Sequence, residues 1–337
     1  MFVVKTSSPQ SLRTSFFAID RHTPTVRRVE DLNEIAAVWR GEVTRSIKSG
    51  RVVVLLILFL LFVGLALTIV GFTNYRLNAL ADQQLAQQGG DPAQIAEAMT
   101  KQKTDFLSFV FTDDADMLES LAKLPLVLLV VFKVTLRFVP LLIALMGFDQ
   151  LAGEIGPKSI RFLVVRVKRS SLVLGKFLAQ STIFALLLSV STVLMIGVSR
   201  ALNSDFAPAD IALWTGKLII SSLVLALAYL AMTTLTSSLV KQASVALVLN
   251  IILLFLVWFV ALIGEVPRFP GEVAVGALGE LRSESYLAYL RYTSVWHFGQ
   301  DLLHPHWQRF VTAALMHVGF ALSFLGLSQV IMNKRDL

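Results

Sequence analysis

The stretch VVVLLILFLLFVGLALTIVGF occupies residues 52–72 and contains no charged side chain. A bilayer core about 30 Å thick is crossed by about 20 apolar residues in an α-helix. Because lipid offers no hydrogen-bond partner to a peptide group, a segment that crosses it must satisfy its own N–H and C=O groups. The sequence therefore predicts that residues 52–72 form a transmembrane helix.

Five further stretches of similar length and composition follow along the chain. They cover residues 124–148, 174–198, 218–240, 243–263 and 310–332. Each must be helical for the same reason, although the first of them contains Lys133 and Arg137. The predicted fold class is an all-α integral membrane protein with six transmembrane helices.

Composition favours this fold class over a soluble one. The chain of 337 residues is 55% hydrophobic and 16% charged, with a mean hydropathy of +0.70, whereas soluble domains carry about 25% charged residues. Its formal net charge of +7 is typical of basic cytoplasmic loops in a membrane protein and does not call for a nucleic-acid partner. The chain has no cysteine, which excludes disulfides. We expect no cleaved signal peptide, because residues 1–50 lack a short apolar core.

Lysine and arginine are distributed unevenly between the two sides of the predicted membrane. They concentrate in the segments that lie on the same side as the N-terminus, whereas the first opposite loop, residues 73–123, holds more acids than bases. By the positive-inside rule we expect both termini in the cytoplasm. The expected location is a cell membrane, with the bacterial inner membrane as the specific expectation.

Two regions outside the spans have sequence patterns that predict local structure. Residues 31–50, DLNEIAAVWRGEVTRSIKSG, place apolar side chains such as Ile35 and Val38 at helical spacing beside Trp39, which suits the headgroup zone. They predict an interfacial helix after a flexible lead over residues 1–30, and the alternative is a cytoplasmic helix packed on protein. In the 73–123 loop, QQGGDP predicts a turn, with either a small outer subdomain or disorder around it.

The segment after the second span contains a partial likeness to a nucleotide-binding motif. It contains GEIGPKS at residues 153–159, which fails the phosphate-loop pattern because Pro157 separates Gly156 from Lys158. The segment also follows a membrane helix, whereas a phosphate loop follows a strand. The sequence therefore predicts that an ATPase, if one is used, resides on another chain.

The same segment resembles the cytoplasmic loop of type-two ABC exporter permeases. In that family the next span is preceded, in this order, by an acidic residue, a glycine-containing turn, an apolar helix, an arginine and a Gly-Lys pair. The matching residues are Glu154, Gly156, Arg161, Arg169, Gly175 and Lys176. The sequence departs from the family pattern at Pro157-Lys158-Ser159, where a Gly-Thr turn is usual. The resemblance extends over residues 31–337, including an elbow helix before the first span and a short basic C-terminal tail.

The resemblance implies a cytoplasmic coupling helix, here residues 159–171, that is received by a soluble ABC ATPase subunit. The implied coupling residues are Glu154, Gly156, Arg161, Arg166, Arg169 and Lys176. It also implies a second permease chain, identical or related, with the translocation path between the two. No cofactor is expected on this chain, and ATP would be hydrolysed by the partner. The alternative for the basic loop is a positive-inside segment that binds anionic headgroups.

Two cations in the second span form the candidate substrate path. Lys133 and Arg137 are four residues apart and so share one helix face near mid-membrane. Intramembrane cations by default face protein or a water-filled path. They suggest an anionic substrate, and the alternatives are snorkelling, a shifted span boundary or an acidic partner from the outer loop.

Hydroxyl residues crowd the fourth span and include Thr233 and Thr234. Such residues either pack helices closely together or line a pore, and the packing role is the commoner. We therefore include Thr233 and Thr234 in the candidate path only as the less favoured of the two interpretations.

The sequence shows no constellation for catalysis. His304 and His306 flank Pro305, but two histidines fall short of the three or four ligands of a metal site, so we expect solvated loop residues and no metal. No G-x-S-x-G motif is present. We expect a transport subunit that is not itself an enzyme. The alternative is a non-transporting membrane scaffold or assembly protein, which could also be coupled to an ATPase.

Overall fold

The computed structural model describes residues 24–88, 101, 104, 107–108, 114–122, 126–202, 208–265 and 289–335. Within these ranges the chain is helical and has no strand. The elements are α1 (Pro24–Lys48), α2 (Arg51–Gln88), α3 (Ala115–Ala122), α4 (Leu126–Gly147), α5 (Ala152–Ile155), α6 (Ile160–Val164), α7 (Arg169–Leu202), α8 (Pro208–Leu239), α9 (Ala243–Glu265), the 3-10 turns Arg291–Thr293, His297–Gly299 and Asp301–Leu303, and α10 (Trp307–Lys334).

The six predicted spans correspond to α2, α4, α7, α8, α9 and α10. In the described part of the chain, six helices are long and apolar enough to cross a membrane. This confirms the predicted all-α membrane fold. Because the spans alternate in direction, the α5–α6 segment, the α8–α9 turn and the end of α10 lie together on one face, the α5–α6 face. The starts of α4, α8 and α10 lie on the opposite face.

The centre of the bundle is α8, which packs against α4, α7, α9 and α10. Its small side chains, including Ala228, Ala231, Thr234 and Ser237, are almost completely buried. Small residues let helix backbones approach closely, and this is a main source of helix association where lipid is the solvent. The hydroxyl-rich sequence of this span therefore makes it the core helix of the fold.

Three of the described spans leave most of their surface unburied, namely α2, α9 and α10. Val54 and Leu61 of α2 and Val248 and Phe255 of α9 are among the large exposed side chains. In water such an apolar surface would favour aggregation, but in a membrane the acyl chains solvate it. The exposure pattern is therefore that of a bundle immersed in lipid.

The N-terminal helix α1 begins at Pro24, earlier than the predicted residue 31, so the end of the predicted flexible lead is helical. The rest of that lead, residues 1–23, lies outside the described residues. α1 packs along α7, where the backbone of Gly175 lies against Val38 and the carbonyl of Ile35. One face of α1 thus packs on protein, as the alternative interpretation proposed, while Leu32 and Ile47 remain exposed.

The predicted outer loop is partly helical. α2 continues to Gln88, well beyond the predicted span end at Phe72, and α3 occupies part of the remaining loop. The predicted turn at Asp91 and Pro92 lies outside the described residues.

Gly147, at the end of α4, sets how closely α4 approaches α8. A Cβ at this position would lie 2.8 Å from Cγ2 of Thr233 and 3.7 Å from its Cβ. Replacing Gly147 by alanine is expected to lower the free energy of unfolding by about 1–3 kcal/mol, because overpacking strains both helices. Thermal unfolding of the purified protein in detergent measures the change.

The double variant G147A/T233S is the matched control. Serine lacks the Cγ2 methyl group, so the new Cβ would meet only the more distant Cβ of residue 233. Most of the lost stability should return, and equal destabilisation of the single and double variants would argue against this contact.

Candidate functional site

The predicted coupling helix over residues 159–171 is wrong in length. The structure has the short helix α6, Ile160–Val164, then a turn, and α7 begins at Arg169. β-branched residues at 164, 165 and 167 disfavour continued helix. Glu34 of α1 accepts a hydrogen bond from the backbone N–H of Lys168 (3.1 Å), which favours a new helix start there.

The turn between α5 and α6 replaces the usual Gly-Thr pair of the family. Lys158 has a φ of 60°, in the left-handed region that glycine adopts most easily. The departure from the family pattern is therefore accommodated by a lysine in a conformation that costs about 1 kcal/mol.

A buried ion-pair cluster ties this segment to α1 and α7. The Lys176 Nζ atom donates to Oε1 of Glu42 (2.6 Å) and to Oε1 of Glu154 (2.9 Å). Arg45 also donates to Glu154 Oε1 (2.9 Å). The side chains of Lys176 and Glu154 are only 1% and 8% exposed. We call these four residues the elbow cluster.

The ion pairs of the elbow cluster hold three helices in a fixed arrangement. Buried charges are costly unless they are paired and hydrogen-bonded, so each member constrains its partners. Glu42 and Arg45 come from α1, Glu154 from α5 and Lys176 from α7, so the cluster holds three elements in one arrangement. Glu154 and Lys176 are therefore internal anchors, and the structure does not place either at an exposed docking surface.

Sequence reasoning missed Glu42 and Arg45 as members of this cluster. Lys176 lies two residues inside the predicted third span, and a lysine buried there needs an acidic partner. The signal lay in α1, where Glu42 and Arg45 are three residues apart and so on neighbouring positions of one face.

The other side of the segment is fixed to α8 and to the α8–α9 turn. Ser237 Oγ accepts hydrogen bonds from the backbone N–H groups of Leu151 (2.9 Å) and Ala152 (3.0 Å), which caps α5 from a neighbouring helix. A Cβ on Gly156 would lie 2.6 Å from the carbonyl oxygen of Lys241. Gly156 is thus required for close backbone approach.

Arg169 holds the end of α10. Its Nη1 atom donates to the carbonyl oxygens of Met332 (2.7 Å), Asn333 (3.0 Å) and Arg335 (2.9 Å). The last carbonyls of a helix have no partner within it, and a cation there also complements the helix dipole. Arg169 therefore has an intramolecular capping role.

Four side chains of this segment point away from the protein. Phe162 and Val165 are 79% and 87% exposed, and Arg161 and Arg166 are exposed beside them. Ile160, in contrast, is buried and holds α6 down. Arg161 and Arg166, two of the predicted coupling residues, thus lie in an outward-facing patch with Phe162 and Val165, and we call these four residues the α6 knob. A helix was predicted over residues 159–171, but its end at Val164 was not, and Val165 lies just beyond that end.

The candidate substrate residues Lys133 and Arg137 line a cavity near the start of the α4 span. That span begins at Lys133, so the predicted mid-membrane position of Lys133 is wrong and the span boundary is shifted. Tyr229 of α8 and Trp296 and Gln300 of the 3-10 segment face the same space. The volume available to water centres is about 40 Å³, room for about three water molecules. Arg137 stacks over the Trp296 ring, with the guanidinium carbon 4.6 Å from the ring centroid. Two cations, a phenol, an amide and apolar walls can together receive an anionic group.

Thr233 and Thr234 are not brought to this cavity. Both are almost fully buried. The Thr234 hydroxyl lies 2.9 Å from Gln150 Oε1 and 2.8 Å from the Leu230 carbonyl oxygen. They lie one helical turn beyond Tyr229, toward the α5–α6 face, where α4 approaches closely. Their burial is that of the packing role, which was predicted as the commoner one, and a place in the translocation path stays a prediction.

Trp39 was predicted as a membrane anchor. Its ring N–H donates to Thr182 Oγ1 of α7 at 2.9 Å, and its side chain is half-buried. The indole thus contributes to the packing of α1 on α7, and anchoring in headgroups stays a prediction.

His304 is not the solvated residue that its sequence context predicted. It is buried, accepts a hydrogen bond from the backbone N–H of His306 (3.1 Å) and pairs with Asp114 (3.3 Å). Burial raises the pKa of Asp114, but hydrogen bonds from Arg309, His304 and the N–H of Met117 outweigh it and lower that pKa below its ordinary value. In the described residues, no group of three or more His, Asp or Glu is placed to hold a metal ion.

Comparison with known families gives a match that covers almost the whole described chain. Residues 36–337 match the family model described as ABC-2 family transporter protein. A search of curated proteins finds no significant match. The match includes the α5–α6 segment, the cavity and all six spans. The chain therefore belongs to the ABC-2 transporter family and is a multi-pass membrane permease of that family.

Proposed function

We propose that this chain is the permease subunit of an ATP-driven ABC exporter, coupled to separate soluble ATPase subunits. Two permease chains, identical or related, would enclose the translocation path. The α5–α6 face and both termini would lie in the cytoplasm, as the distribution of lysine and arginine favours. ATP would be bound and hydrolysed by the partner, and the permease would need no cofactor of its own.

The observation that carries this proposal is the α6 knob. Large exposed apolar side chains beside arginines are typical of protein interaction hot spots. Phe162 and Val165 sit on a segment whose base is fixed by the elbow cluster and by Ser237. A rigid projection of this kind suits the transmission of force from a soluble partner.

Force on the knob would reach the spans by three routes. The elbow cluster links the segment to α1 and α7, the Ser237 cap links it to α8, and Arg169 links the start of α7 to the end of α10. Movement of the knob would therefore displace several helices together. The cavity with Lys133 and Arg137 lies on the same α4 and α8 helices, and we propose it as part of the path for an anionic substrate.

The test is co-purification of the partner ATPase from native membranes with the unaltered chain and with the double variant F162A/V165A. This variant removes apolar contact and leaves the loop charge unchanged, so membrane orientation is not disturbed. We expect binding of the ATPase to weaken at least tenfold, since truncating a hot-spot residue costs about 2 kcal/mol or more. Quantitative pull-down over a range of ATPase concentrations measures the change.

The matched control is L322A/L327A in α10, where two similarly exposed apolar side chains lie within a span. It should retain the ATPase. Unchanged retention in F162A/V165A would assign the knob to the membrane surface instead. Absence of any ATPase from the unaltered preparation would favour a membrane scaffold.

A further inference from the structure

A groove separate from the cavity lies on the face of the bundle opposite the α5–α6 face. One wall is a single face of α8, formed by Leu213, Gly216, Lys217 and Ile220. The other wall is the turn before α10 and its first residues, formed by His304, Pro305, Trp307 and Phe310. Its volume is about 490 Å³, which is within the range of pockets that bind small organic ligands.

The groove lies at the boundary between headgroups and acyl chains. The apolar span of α8 begins at Leu213, so Lys217 lies about 6 Å inside it at 1.5 Å per residue. The apolar span of α10 begins at Trp307, which is 73% exposed. Exposed tryptophan at the end of a span is characteristic of the membrane interface. The groove therefore opens to lipid.

Lys217 is held in a fixed position within this groove. Its Nζ atom donates to the carbonyl oxygen of His304 at 2.7 Å and lies 4.9 Å from the centroid of the Trp214 ring. An ammonium group has three donors, and these contacts within the described chain use one of them. Two N–H groups therefore remain to bind an oxygen ligand.

The chemistry of the walls selects the class of ligand. Leu213 and Ile220 are largely exposed and would lie along an acyl chain. The described lining residues include no carboxylate, so the ammonium of a zwitterionic headgroup would find no partner there. A lysine donating to phosphate oxygens and the absence of an acid together favour a net negative headgroup.

We propose that this groove binds an anionic phospholipid, with the phosphate on Lys217 and an acyl chain along the α8 wall. The site does not depend on the proposed transport role. A lipid bound here would bridge the start of α8 and the turn before α10, which are also joined by hydrogen bonds from Lys217 and Ser221 to the His304 and Leu302 carbonyl oxygens.

The test is native mass spectrometry of the full chain released from nanodiscs that contain either phosphatidylglycerol or phosphatidylcholine. The unaltered chain should retain phosphatidylglycerol preferentially. K217Q should bind it about tenfold more weakly, because a hydrogen bond to a charged group is lost. K217R should restore binding, since it keeps the charge.

A second variant keeps the test decisive if K217Q disturbs folding. G216L fills the groove without changing charge, and a Cβ on Gly216 meets nothing within 4 Å, so folding should be preserved while lipid retention falls. K241Q, which removes an exposed cation on the α5–α6 face, should leave retention unchanged. Undiminished retention in both K217Q and G216L would overturn the proposal. Equal loss in K241Q, or displacement of the lipid by inorganic phosphate, would overturn it as well.

Discussion

Replacing Lys176 by methionine is expected to lower the free energy of unfolding by about 3–5 kcal/mol, because it leaves Glu42 and Glu154 with only the largely exposed Arg45 as a cationic partner. Glu42 and Glu154 both accept hydrogen bonds from this one nitrogen. Methionine is similar in size to lysine but supplies no charge, so the two carboxylates would repel each other where the Lys176 nitrogen now lies between them. Thermal and chemical unfolding of the detergent-solubilised protein measures the loss.

The double variant K176M/E154Q separates charge from packing. Removing the second buried charge should recover much of the lost stability, since replacing a whole buried pair is often close to neutral. Arg45 would lose its Glu154 partner but is 62% exposed and can be solvated. A double variant no more stable than K176M alone would mean that the shape of Lys176, and not its charge, holds the site.

Replacing Gly156 by alanine is expected to lower the free energy of unfolding by about 1–3 kcal/mol through overpacking. The new Cβ would lie 2.6 Å from the Lys241 carbonyl oxygen, which belongs to backbone and cannot rotate away. Gly156 has a φ of −57°, so alanine can adopt its conformation and the effect reports the close approach alone. If the segment transmits force, ATP-driven transport should fall more than ATPase binding does.

Gly153 provides the control for this substitution. It lies one turn earlier, and a Cβ there would meet its nearest neighbour, Asp149 Cβ, at an ordinary 3.5 Å. G153A should unfold at the same temperature as the unaltered protein. Equal loss of stability in G153A and G156A would refute the argument from close approach.

The K176M and G156A variants both test how firmly the α5–α6 segment is held in place. The α5–α6 segment is anchored on one side by charge and on the other by backbone contact, so neither side alone defines its position. A projection that must transmit movement needs this kind of support, because a flexible loop would absorb the displacement. The two variants weaken the two supports independently.

Sequence pattern alone determined the membrane fold and the family. Lipid demands about 20 apolar residues per span and internal hydrogen bonding, so six predominantly apolar stretches of this length left little freedom. The order of Glu154, Gly156 and the Gly175-Lys176 pair also identified the family, since these positions follow one another closely in the chain.

Only the tertiary structure decided what those residues do. Glu154 meets Arg45 across 109 residues of chain and Lys217 meets His304 across 87, and no local pattern specifies such pairings. The start of α7 also depended on a hydrogen bond from the Lys168 N–H to Glu34 of another helix. Hydrophobic periodicity depends only on residues that are close together in the sequence. The partners of buried charges, and which apolar side chains remain outside, are fixed only when distant helices pack together.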